Sequence, residues 1–333
     1  MKTVAELLRT RVDENPDGLA CTFTKAGERT SLTYAELWTD VMATAGTITA
    51  LTRPQDRCVL AMPSSLDFVS TLFAVAVAGR VAVPLPEIGA LNAQASERIE
   101  RVVADCSPTL LVTGEAESAL SLRSRPDLTA GATVLDKVEP GDPTLAQGDG
   151  LDPGSLFILQ YTSGSIGHPK GVRVTHENVL HNSATIGSAW GLSTSWSGLT
   201  WLPLFHDMGL LGGLMVPLRM GFPSHLLPTS DMLRHPLNWL RMFSELGPTA
   251  SGSPDFGYRK CIERVREEDV ATLDLSRWDI AFSGSEPISS ATMEAFARHF
   301  APAGFRASAM LACYGLAENT VFVTGSEPSQ GLT

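Results

Sequence analysis

Short apolar runs alternate with longer amphipathic segments along the first part of the chain. Helical spacing of apolar residues predicts helices at 3–14, 34–49, 65–78 and 97–105. The shorter apolar runs predict strands at 20–23, 31–34, 57–62, 81–84 and 109–113. Alternation at this pitch is typical of a parallel β-sheet with crossover helices.

The alternation pauses at residues 126–153, which are rich in glycine, proline and aspartate. We expect a surface loop or a seam there, with one short strand at 133–135. Beyond it the pattern predicts strands at 155–160, 198–202, 278–283 and 307–312 and helices at 176–190, 236–246 and 290–300.

The expected fold class is therefore α/β. The family resemblance carried by the motifs described below implies two packed subdomains, each with a mostly parallel sheet flanked by helices. We assign residues 1–190 to the first subdomain and residues 191–333 to the second. This boundary is approximate, and the expectation allows the chain to cross between the two sheets.

The composition and charge of the 333-residue chain limit the classes of partner that it can be expected to bind. Hydrophobic residues make up 44% and charged residues 18%, which provides enough apolar mass for a sizeable core. The net charge of −11 disfavours sequence-independent binding to nucleic acid and to anionic membranes. The N-terminal segment lacks a signal-peptide core, and the most apolar stretch, 69–79, is too short to span a bilayer. We expect a cytoplasmic protein with no membrane span.

Cysteines and histidines show no spacing typical of a metal site. The five cysteines are dispersed and form no CxxC pair, which argues against a zinc site or a disulfide framework. His176 and His181 lie five residues apart and diverge on the predicted helix. For the histidines without a partner by spacing we expect surface or cap positions: His225, His235 and His299.

The predicted strand at 155–160 runs into a loop rich in glycine and hydroxyl groups, LQYTSGSIGHPKGV at 159–172. Glycines let backbone N–H groups form a nest for an anion, hydroxyls add donors, and Lys170 adds positive charge. The pattern lacks the Gly-Lys pair of a Walker A loop and the GxSxG of a hydrolase elbow. It indicates a polyphosphate-binding loop with expected contacts from Thr162, Ser163, Gly164, Ser165, Gly167 and Lys170.

Four sequence motifs resemble those of a known enzyme family and follow one another in the same order as in that family. YTSGS followed by PKG, within 161–171, resembles the phosphate-binding loop of adenylate-forming enzymes. WLPLFHDMGL at 201–210 closely resembles a segment of the fatty-acyl-AMP ligase branch. SGSEP at 283–287 and YGLAENT at 314–320 resemble two further motifs of the superfamily. The first 150 residues fit only in general pattern.

The resemblance implies a reaction of a fatty acid with ATP that gives an acyl-adenylate and pyrophosphate. It also implies transfer to the phosphopantetheine arm of an acyl carrier protein or of a polyketide or peptide synthetase module. ATP and Mg²⁺ are the implied cofactors. The implied catalytic groups are Lys170 on the β- and γ-phosphates, Glu318 as ligand of Mg²⁺ with the Thr162 hydroxyl nearby, and His206 beside the carboxylate and the α-phosphate. Asp207 would orient His206 or cap the helix that follows.

Two ligand pockets are implied as well. Tyr314 would stack on the adenine, with Gly315 permitting a close approach of the ligand. The other adenine wall would be formed by Gly284, Ser285, Glu286 and Pro287. An apolar acyl tunnel would be lined by Met208, Gly209, Leu211, Gly212, Phe256 and Tyr258, with Gly213 adding room. Ordinary helix packing accounts for these acyl residues equally well.

The chain departs from the family pattern in two places. Ile166 stands where the family usually has threonine, which removes one hydroxyl donor from the loop. The chain stops at Thr333, 15 residues after Glu318, whereas the family continues with a ribose-binding aspartate, a hinge and a small C-terminal domain with a catalytic lysine. We expect a truncated enzyme, without that small domain, that is inefficient alone.

Two alternatives stay open at the level of sequence. One is an acyl-CoA synthetase or an aryl-acid adenylating enzyme of the same fold. The other belongs to a different class, a non-catalytic module that binds a nucleotide, an acyl group or a protein.

Overall fold

The computed structural model describes residues 1–88, 93–146, 150–162 and 170–331, with the side chains of 93–96 left outside that description. Its strands, numbered along the chain, are β1 (Leu19–Lys25), β2 (Glu28–Thr33), β3 (Arg57–Leu60), β4 (Val81–Pro84), β5 (Leu110–Val112), β6 (Thr133–Leu135), β7 (Leu156–Thr162), β8 (Lys170–Thr175), β9 (Gly198–Thr200), β10 (Ser224–Leu226), β11 (Ala250–Ser253), β12 (Ile280–Ser283), β13 (Met310–Gly315) and β14 (Phe322–Gly325).

Two of the early helices begin with side-chain caps. Thr33 and Glu36 form a reciprocal capping box at the start of the second helix, and Ser65 caps the third. The α-helices are α1 (Val4–Glu14), α2 (Tyr34–Leu51), α3 (Leu66–Val77), α4 (Ala93–Cys106), α5 (Ala116–Arg123), α6 (His176–Ala189), α7 (Val216–Met220), α8 (Thr229–Arg234), α9 (Leu237–Leu246), α10 (Asp255–Arg264), α11 (Glu267–Val270) and α12 (Ser290–Phe300). A π-helix occupies Met208–Met215.

Two sheets organise the described residues, and they confirm the predicted α/β class. The first has six strands in the order β6-β5-β3-β4-β7-β8, parallel except for the antiparallel β7–β8 pair. The second has eight strands in the order β14-β13-β12-β11-β9-β10-β1-β2. In this sheet order every adjacent pair between β13 and β1 is parallel, whereas β13 and β14 are antiparallel.

Contacts divide the chain into two units, each built around one sheet. The first unit comprises Met1–Gly18, Leu32–Leu180 and Leu204–His206. The second comprises Leu19–Ser31, His181–Pro203 and Asp207–Thr333. The structure therefore changes unit inside α6 rather than at the predicted 190/191. It also assigns β1 to the second unit, because β1 pairs with β10, a long-range pairing that leaves no mark in the local pattern.

None of the helices in the described ranges has both the length and the apolar character needed to cross a membrane.

Candidate active site

The ends of the expected phosphate-binding loop lie on the antiparallel pair β7–β8 of the first unit. Thr162, the last residue of β7, pairs in register with Lys170, the first residue of β8. Thr162 is half-buried and Lys170 is exposed. The remaining loop residues lie outside the described residues: Ser163, Gly164, Ser165, Ile166 and Gly167.

His206, the expected catalytic histidine, is exposed at a bend that follows a turn in the first unit. Two side chains hold the backbone just before it. The N–H of Leu204 donates to Oγ of Ser64 at 3.1 Å, and Nε2 of Gln160 donates to the carbonyl oxygen of Phe205 at 2.8 Å. Sequence reasoning did not find these two anchors. The available signal was a single polar residue, Gln160, within the apolar run FILQY.

Asp207 begins the π-helix of the second unit. Its carboxylate accepts the backbone N–H of Met208 at 2.7 Å. The structure thus supports the capping role, one of the two alternatives proposed for this aspartate.

The π-helix contains most of the residues expected in the acyl tunnel. Met208 and Leu211 are buried. Gly212 faces open space, since no heavy atom lies within 4 Å of a Cβ placed there. Gly209 is different, because a Cβ at that position would come within 2.3 Å of the carbonyl oxygen of Pro203. Gly212 therefore borders open space, whereas Gly209 permits close packing of the backbone.

Gly213 resembles Gly209 in this respect. A Cβ there would meet Cγ2 of Thr200 at 2.5 Å, so its small size serves packing.

The two aromatic residues of the expected acyl tunnel occupy different environments. Phe256 is half-buried at the start of α10, with its ring edge-on to Trp201 at 5.9 Å. Tyr258 is fully buried among aromatic rings, and its hydroxyl donates to the carbonyl oxygen of Phe282 at 2.8 Å. Burial raises the pKa of Tyr258 well above its usual range. The ring and the hydroxyl of Tyr258 are both used in packing and hydrogen bonding within the core, and its assignment to the acyl tunnel stays a prediction.

The segment 284–287 follows β12 and contacts the acyl residues of the same unit. Ser285 adopts a left-handed backbone conformation with φ of 69°, and its Oγ donates to Sδ of Met208 at 3.0 Å. The Glu286 carboxylate accepts the N–H of Phe256 at 2.7 Å. The structure thereby brings two residues of the expected adenine wall together with two residues of the expected acyl wall.

The flanking members of this segment are placed differently. Gly284 is buried, and a Cβ there would lie 2.8 Å from Sγ of Cys313. Pro287 is exposed. Gly284 therefore owes its small size to close packing against β13.

Tyr314, the expected adenine-stacking residue, lies near the end of β13 with 61% of its surface exposed. An exposed ring of this kind has a face free for stacking. The adjacent Gly315 does not need its small size for a ligand, because a Cβ there would meet the carbonyl oxygen of Val321 at 1.9 Å. The close approach expected from Gly315 is real, and its partner is the chain itself where the β13–β14 register shifts.

Glu318, the expected Mg²⁺ ligand, is exposed in the short 3-10 helix Ala317–Asn319 of the second unit. Among the described residues its carboxylate takes part in no recorded hydrogen bond or ion pair. No group of three or more His, Cys, Asp or Glu residues in the described ranges could hold a metal ion by itself. One carboxylate together with hydroxyl, phosphate and water oxygens is a donor set that Mg²⁺ accepts, so the residues fit this ion.

The position predicted for one histidine is wrong. His225, expected at the surface or in a cap, is buried and hydrogen-bonds through Nδ1 to Thr22 and through Nε2 to Ser197, both at 2.9 Å. Spacing along the chain could not reveal this, since Thr22 is 203 residues away. His299 lies 2.9 Å from the carbonyl oxygen of Val265, and His235 ends α8.

With this geometry in place, comparison with known proteins identifies the class. The family model described as AMP-binding enzyme matches residues 8–332, and the chain belongs to this family. The medium-chain-fatty-acid–[acyl-carrier-protein] ligase JamA of Moorena producens is 33% identical over 330 residues, covering 97% of this chain and 56% of that protein. The putative fatty-acid–CoA ligase fadD21 of Mycobacterium leprae is 33% identical over 348 residues, and the match covers 98% of this chain and 59% of that protein.

Among solved structures, the fatty acyl-adenylate ligase from Legionella pneumophila in complex with acyl adenylate and pyrophosphate is similar with a TM-score of 0.91. It is 33% identical, and the match covers 99% of this chain and 58% of that one. The chain thus spans somewhat more than half the length of the relatives it resembles. The resemblance to fatty-acyl-AMP ligases inferred from the motifs is confirmed.

Proposed function

We propose that the protein activates a fatty acid with ATP to an acyl-adenylate and releases pyrophosphate. A carboxylate oxygen attacks the α-phosphorus, an oxygen–phosphorus bond forms, and the bond from the α-phosphorus to the bridging oxygen of pyrophosphate breaks. The observation that carries the proposal is the match of 99% of this chain to 58% of a fatty acyl-adenylate ligase whose structure holds acyl adenylate and pyrophosphate.

Charge neutralisation and positioning are the main tasks in such a reaction, because two anions must approach each other. Lys170 and the hydroxyl of Thr162 bind the phosphates, together with the loop residues Ser163, Gly164, Ser165 and Gly167. His206 positions the carboxylate and the α-phosphate. Glu318 and Thr162 would hold Mg²⁺, which supplies further neutralisation of the phosphate charge when it is bound.

The nucleotide and acyl groups bind to the second unit's residues. The exposed ring of Tyr314 stacks on the adenine, and the segment 284–287 forms the opposite wall. Gly212 leaves space for the acyl chain, with Met208, Leu211 and Phe256 around it, since burial of each CH₂ contributes about 0.8 kcal/mol. We leave Tyr258 and Gly209 out of the proposed pocket, because the Tyr258 hydroxyl bonds to the backbone of Phe282 and Gly209 packs against the carbonyl oxygen of Pro203.

The acyl acceptor that fits best is the phosphopantetheine arm of a carrier protein in the cytoplasm. The support is the carrier-protein ligase JamA, which matches almost the whole of this chain. A second candidate is acyl-CoA synthesis, favoured by the similarity to a protein named as a putative fatty-acid–CoA ligase.

The test uses protein made from the complete coding sequence, incubated with ATP, Mg²⁺ and fatty acids of medium and long chain. Mass spectrometry should detect acyl-AMP, and addition of coenzyme A should yield no acyl-CoA. Robust acyl-CoA formation would favour the second candidate, and absence of any acyl-AMP would refute both.

Site variants test the residue assignments in the same assay. Lys170→Ala and Glu318→Ala should each lower the rate of acyl-AMP formation on the order of 100-fold, because the first removes a positive charge that faces the phosphates and the second removes the proposed carboxylate ligand of Mg²⁺. Lys137→Ala and Glu263→Ala remove exposed charges elsewhere and serve as matched controls that should keep the normal rate. Unchanged turnover in the Lys170 or Glu318 variant would show that its assignment is wrong.

A further inference from the structure

The peptide bond that joins Phe205 to His206 is held by a buried side chain. Nε2 of Gln160 donates to the carbonyl oxygen of Phe205 at 2.8 Å, and Gln160 is only 6% exposed. Because the peptide group is planar, fixing this carbonyl also fixes the N–H and the Cα of His206. A buried carboxamide has little access to competing water, so the orientation is well defined.

The backbone of Gln160 is fixed in turn by its strand. Gln160 pairs with Val172 in the β7–β8 ladder, and Ile158, two residues earlier, pairs with Ala82 of β4. An interior strand with partners on both sides leaves little freedom for the position of this side chain.

Gln160 also shares a face with the start of the phosphate-binding loop. Alternate residues of a strand point to the same side, so Gln160 and Thr162 lie on one face of β7. Tyr161 points to the opposite face and packs into the aliphatic core of the first unit. A single rigid strand therefore sets both the beginning of the loop and the backbone at His206.

A second anchor acts on the same turn. Oγ of Ser64 accepts the N–H of Leu204 at 3.1 Å, two residues before His206. The residues Leu204–His206 have no place in a strand or helix, so side-chain contacts of this kind take over the role of a backbone ladder.

We infer that Gln160 is a positioning residue for catalysis, which aligns His206 with phosphates bound at Thr162, and that Ser64 assists it. This inference rests on the proposed acyl-adenylate activity and on the role of His206 within it. Gln160 itself contacts no reacting atom; it acts through the Phe205–His206 peptide group.

The test compares Gln160→Leu with the wild type in protein made from the complete coding sequence. Leucine keeps the approximate volume but removes the donor. We expect kcat for acyl-AMP formation to fall roughly 10- to 100-fold with less than about a 3-fold change in KM for ATP, since small misplacements of catalytic groups have effects of this size. Equal kcat values would overturn the inference.

A matched control is Gln55→Leu. Gln55 is a half-buried glutamine whose carboxamide also bonds to backbone, accepting the N–H of Leu156 at the start of β7. This variant should lower the melting temperature by about as much as Gln160→Leu while leaving kcat unchanged. Equal losses of kcat in both variants would indicate a general structural effect and would overturn the inference.

A double-mutant cycle with His206→Ala gives the decisive readout. If Gln160 acts through His206, Gln160→Leu should cause no further loss of kcat once His206 is alanine. Multiplicative losses would contradict the positioning role. If Gln160→Leu does not fold, Gln160→Asn and Ser64→Ala provide milder removals of the two anchors and are judged by the same cycle.

The proposed function and this inference fail in different ways. Absence of acyl-AMP from the wild-type protein refutes the proposed function. Normal wild-type activity with an unaffected or non-coupled Gln160 variant refutes the positioning role alone.

Discussion

Each unit contains a large hydrophobic cluster, and the two clusters differ in their side chains. The cluster around the first unit's strands β3 to β6 is almost wholly aliphatic, with Val59, Val83, Val102 and Leu111 fully buried and Tyr161 as its one aromatic member, although Phe68, Phe73 and Phe157 are buried elsewhere in that unit. The main cluster in the second unit is dominated by rings: Trp201, Trp239, Phe243, Tyr258, Trp278, Phe296, Phe300 and Phe305. The first cluster consists mainly of aliphatic residues from short strands and from helices α4 and α5, whereas the second is a network of large aromatic rings.

The two clusters also differ in how far apart in the sequence their contacting residues lie. Aliphatic residues of the first unit come as continuous runs within single strands, such as RCVL in β3 and LLV in β5. Rings of the second unit meet from distant positions: Trp278 stacks on Phe243 at 4.1 Å and lies edge-on to Trp239 at 5.1 Å. A local pattern can therefore predict the first core, whereas the second becomes visible only in three dimensions.

The largest expected effect is the loss of a ring from the aromatic cluster. Trp278→Ala should lower the free energy of unfolding by about 3–5 kcal/mol, since it leaves a large cavity and removes the Nε1 donor to the carbonyl oxygen of Ile280. Chemical denaturation followed by circular dichroism would measure the change. Combined with Phe296→Ala, whose ring lies edge-on to Trp278 at 5.9 Å, the two losses should deviate from additivity by more than about 0.5 kcal/mol.

Leu111→Ala in the aliphatic core is the control for that coupling. Combined with Phe296→Ala it should add within about 0.5 kcal/mol, because the two residues belong to different clusters. Additive behaviour of Trp278 and Phe296 would show that the aromatic core is no more cooperative than the aliphatic one.

Among the described residues each unit also buries one histidine, and these two should make stability depend on pH. Burial lowers the pKa of His176 and of His225 to about 4. Both histidines are neutral in the folded protein, while the unfolded chain takes up a proton near pH 6.5. Their stabilising contribution is complete above pH 6.5 and is lost as pH falls from 6.5 to 4, by on the order of 3 kcal/mol for each histidine.

Urea unfolding at pH 7.5 and pH 5 would measure this loss. His176→Asn retains an acceptor for the N–H of Val4, and His225→Gln retains a polar group toward Ser197. Each substitution should flatten the pH dependence of unfolding relative to wild type. An unchanged slope in both variants would mean that other groups cause the loss of stability in acid.

Two buried tyrosine hydroxyls allow a finer comparison of the units. Tyr161 hydrogen-bonds to the carboxylate of Asp105 in the first unit, and Tyr258 donates to the carbonyl oxygen of Phe282 in the second. Tyr161→Phe should cost about 1.5–3 kcal/mol because its partner is charged, and Tyr258→Phe about 0.5–1.5 kcal/mol. Thermal unfolding with matched activity assays would check both. A change in acyl-chain preference of Tyr258→Phe would contradict its removal from the acyl tunnel.

The smallest effect is expected at Ser285, whose φ of 69° is costly for a residue with a side chain. Ser285→Gly should raise the free energy of unfolding by up to about 1 kcal/mol while weakening the binding of an acyl-adenylate mimic, because the contact with Met208 is lost. Calorimetry would measure both. Ala130→Gly in the first unit, with φ of 49°, is the control that should gain stability without affecting binding.

Much of the fold was predictable from local pattern, and the missed parts share a cause. Helices with clear periodicity were found within a few residues, such as α12 at Ser290–Phe300. The strands that no pattern indicated include β10 and β14, with three and four residues, whose pairing depends on distant partners. Strand β8 was not predicted, because it begins within the motif PKGV, whose proline and glycine are typical of a loop.

At the site, motifs identified which residues matter but not why each has its size or polarity. Gly209 and Gly315 were expected to make room for ligands, and the structure shows them against backbone carbonyl oxygens. Gln160 and Ser64 were missed because their contacts with Phe205 and Leu204 span 45 and 140 residues. Long-range hydrogen bonds are outside the reach of any spacing rule.

The pairing of β1 with β10 has a consequence for the newly made protein. Thr22 of β1 lies opposite His225, 203 residues later in the chain. At roughly 5–20 residues per second, a ribosome needs roughly 10–40 s to make that intervening length. During this time only β2 can lie beside β1, and the edge of β1 that later pairs with β10 has no partner. The apolar residues Ala20, Cys21 and Phe23 make this strand a segment that chaperones would need to shield. A break in the chain near residue 180 would likewise leave the sheet of the second unit without β1 and β2, the two strands at one of its edges.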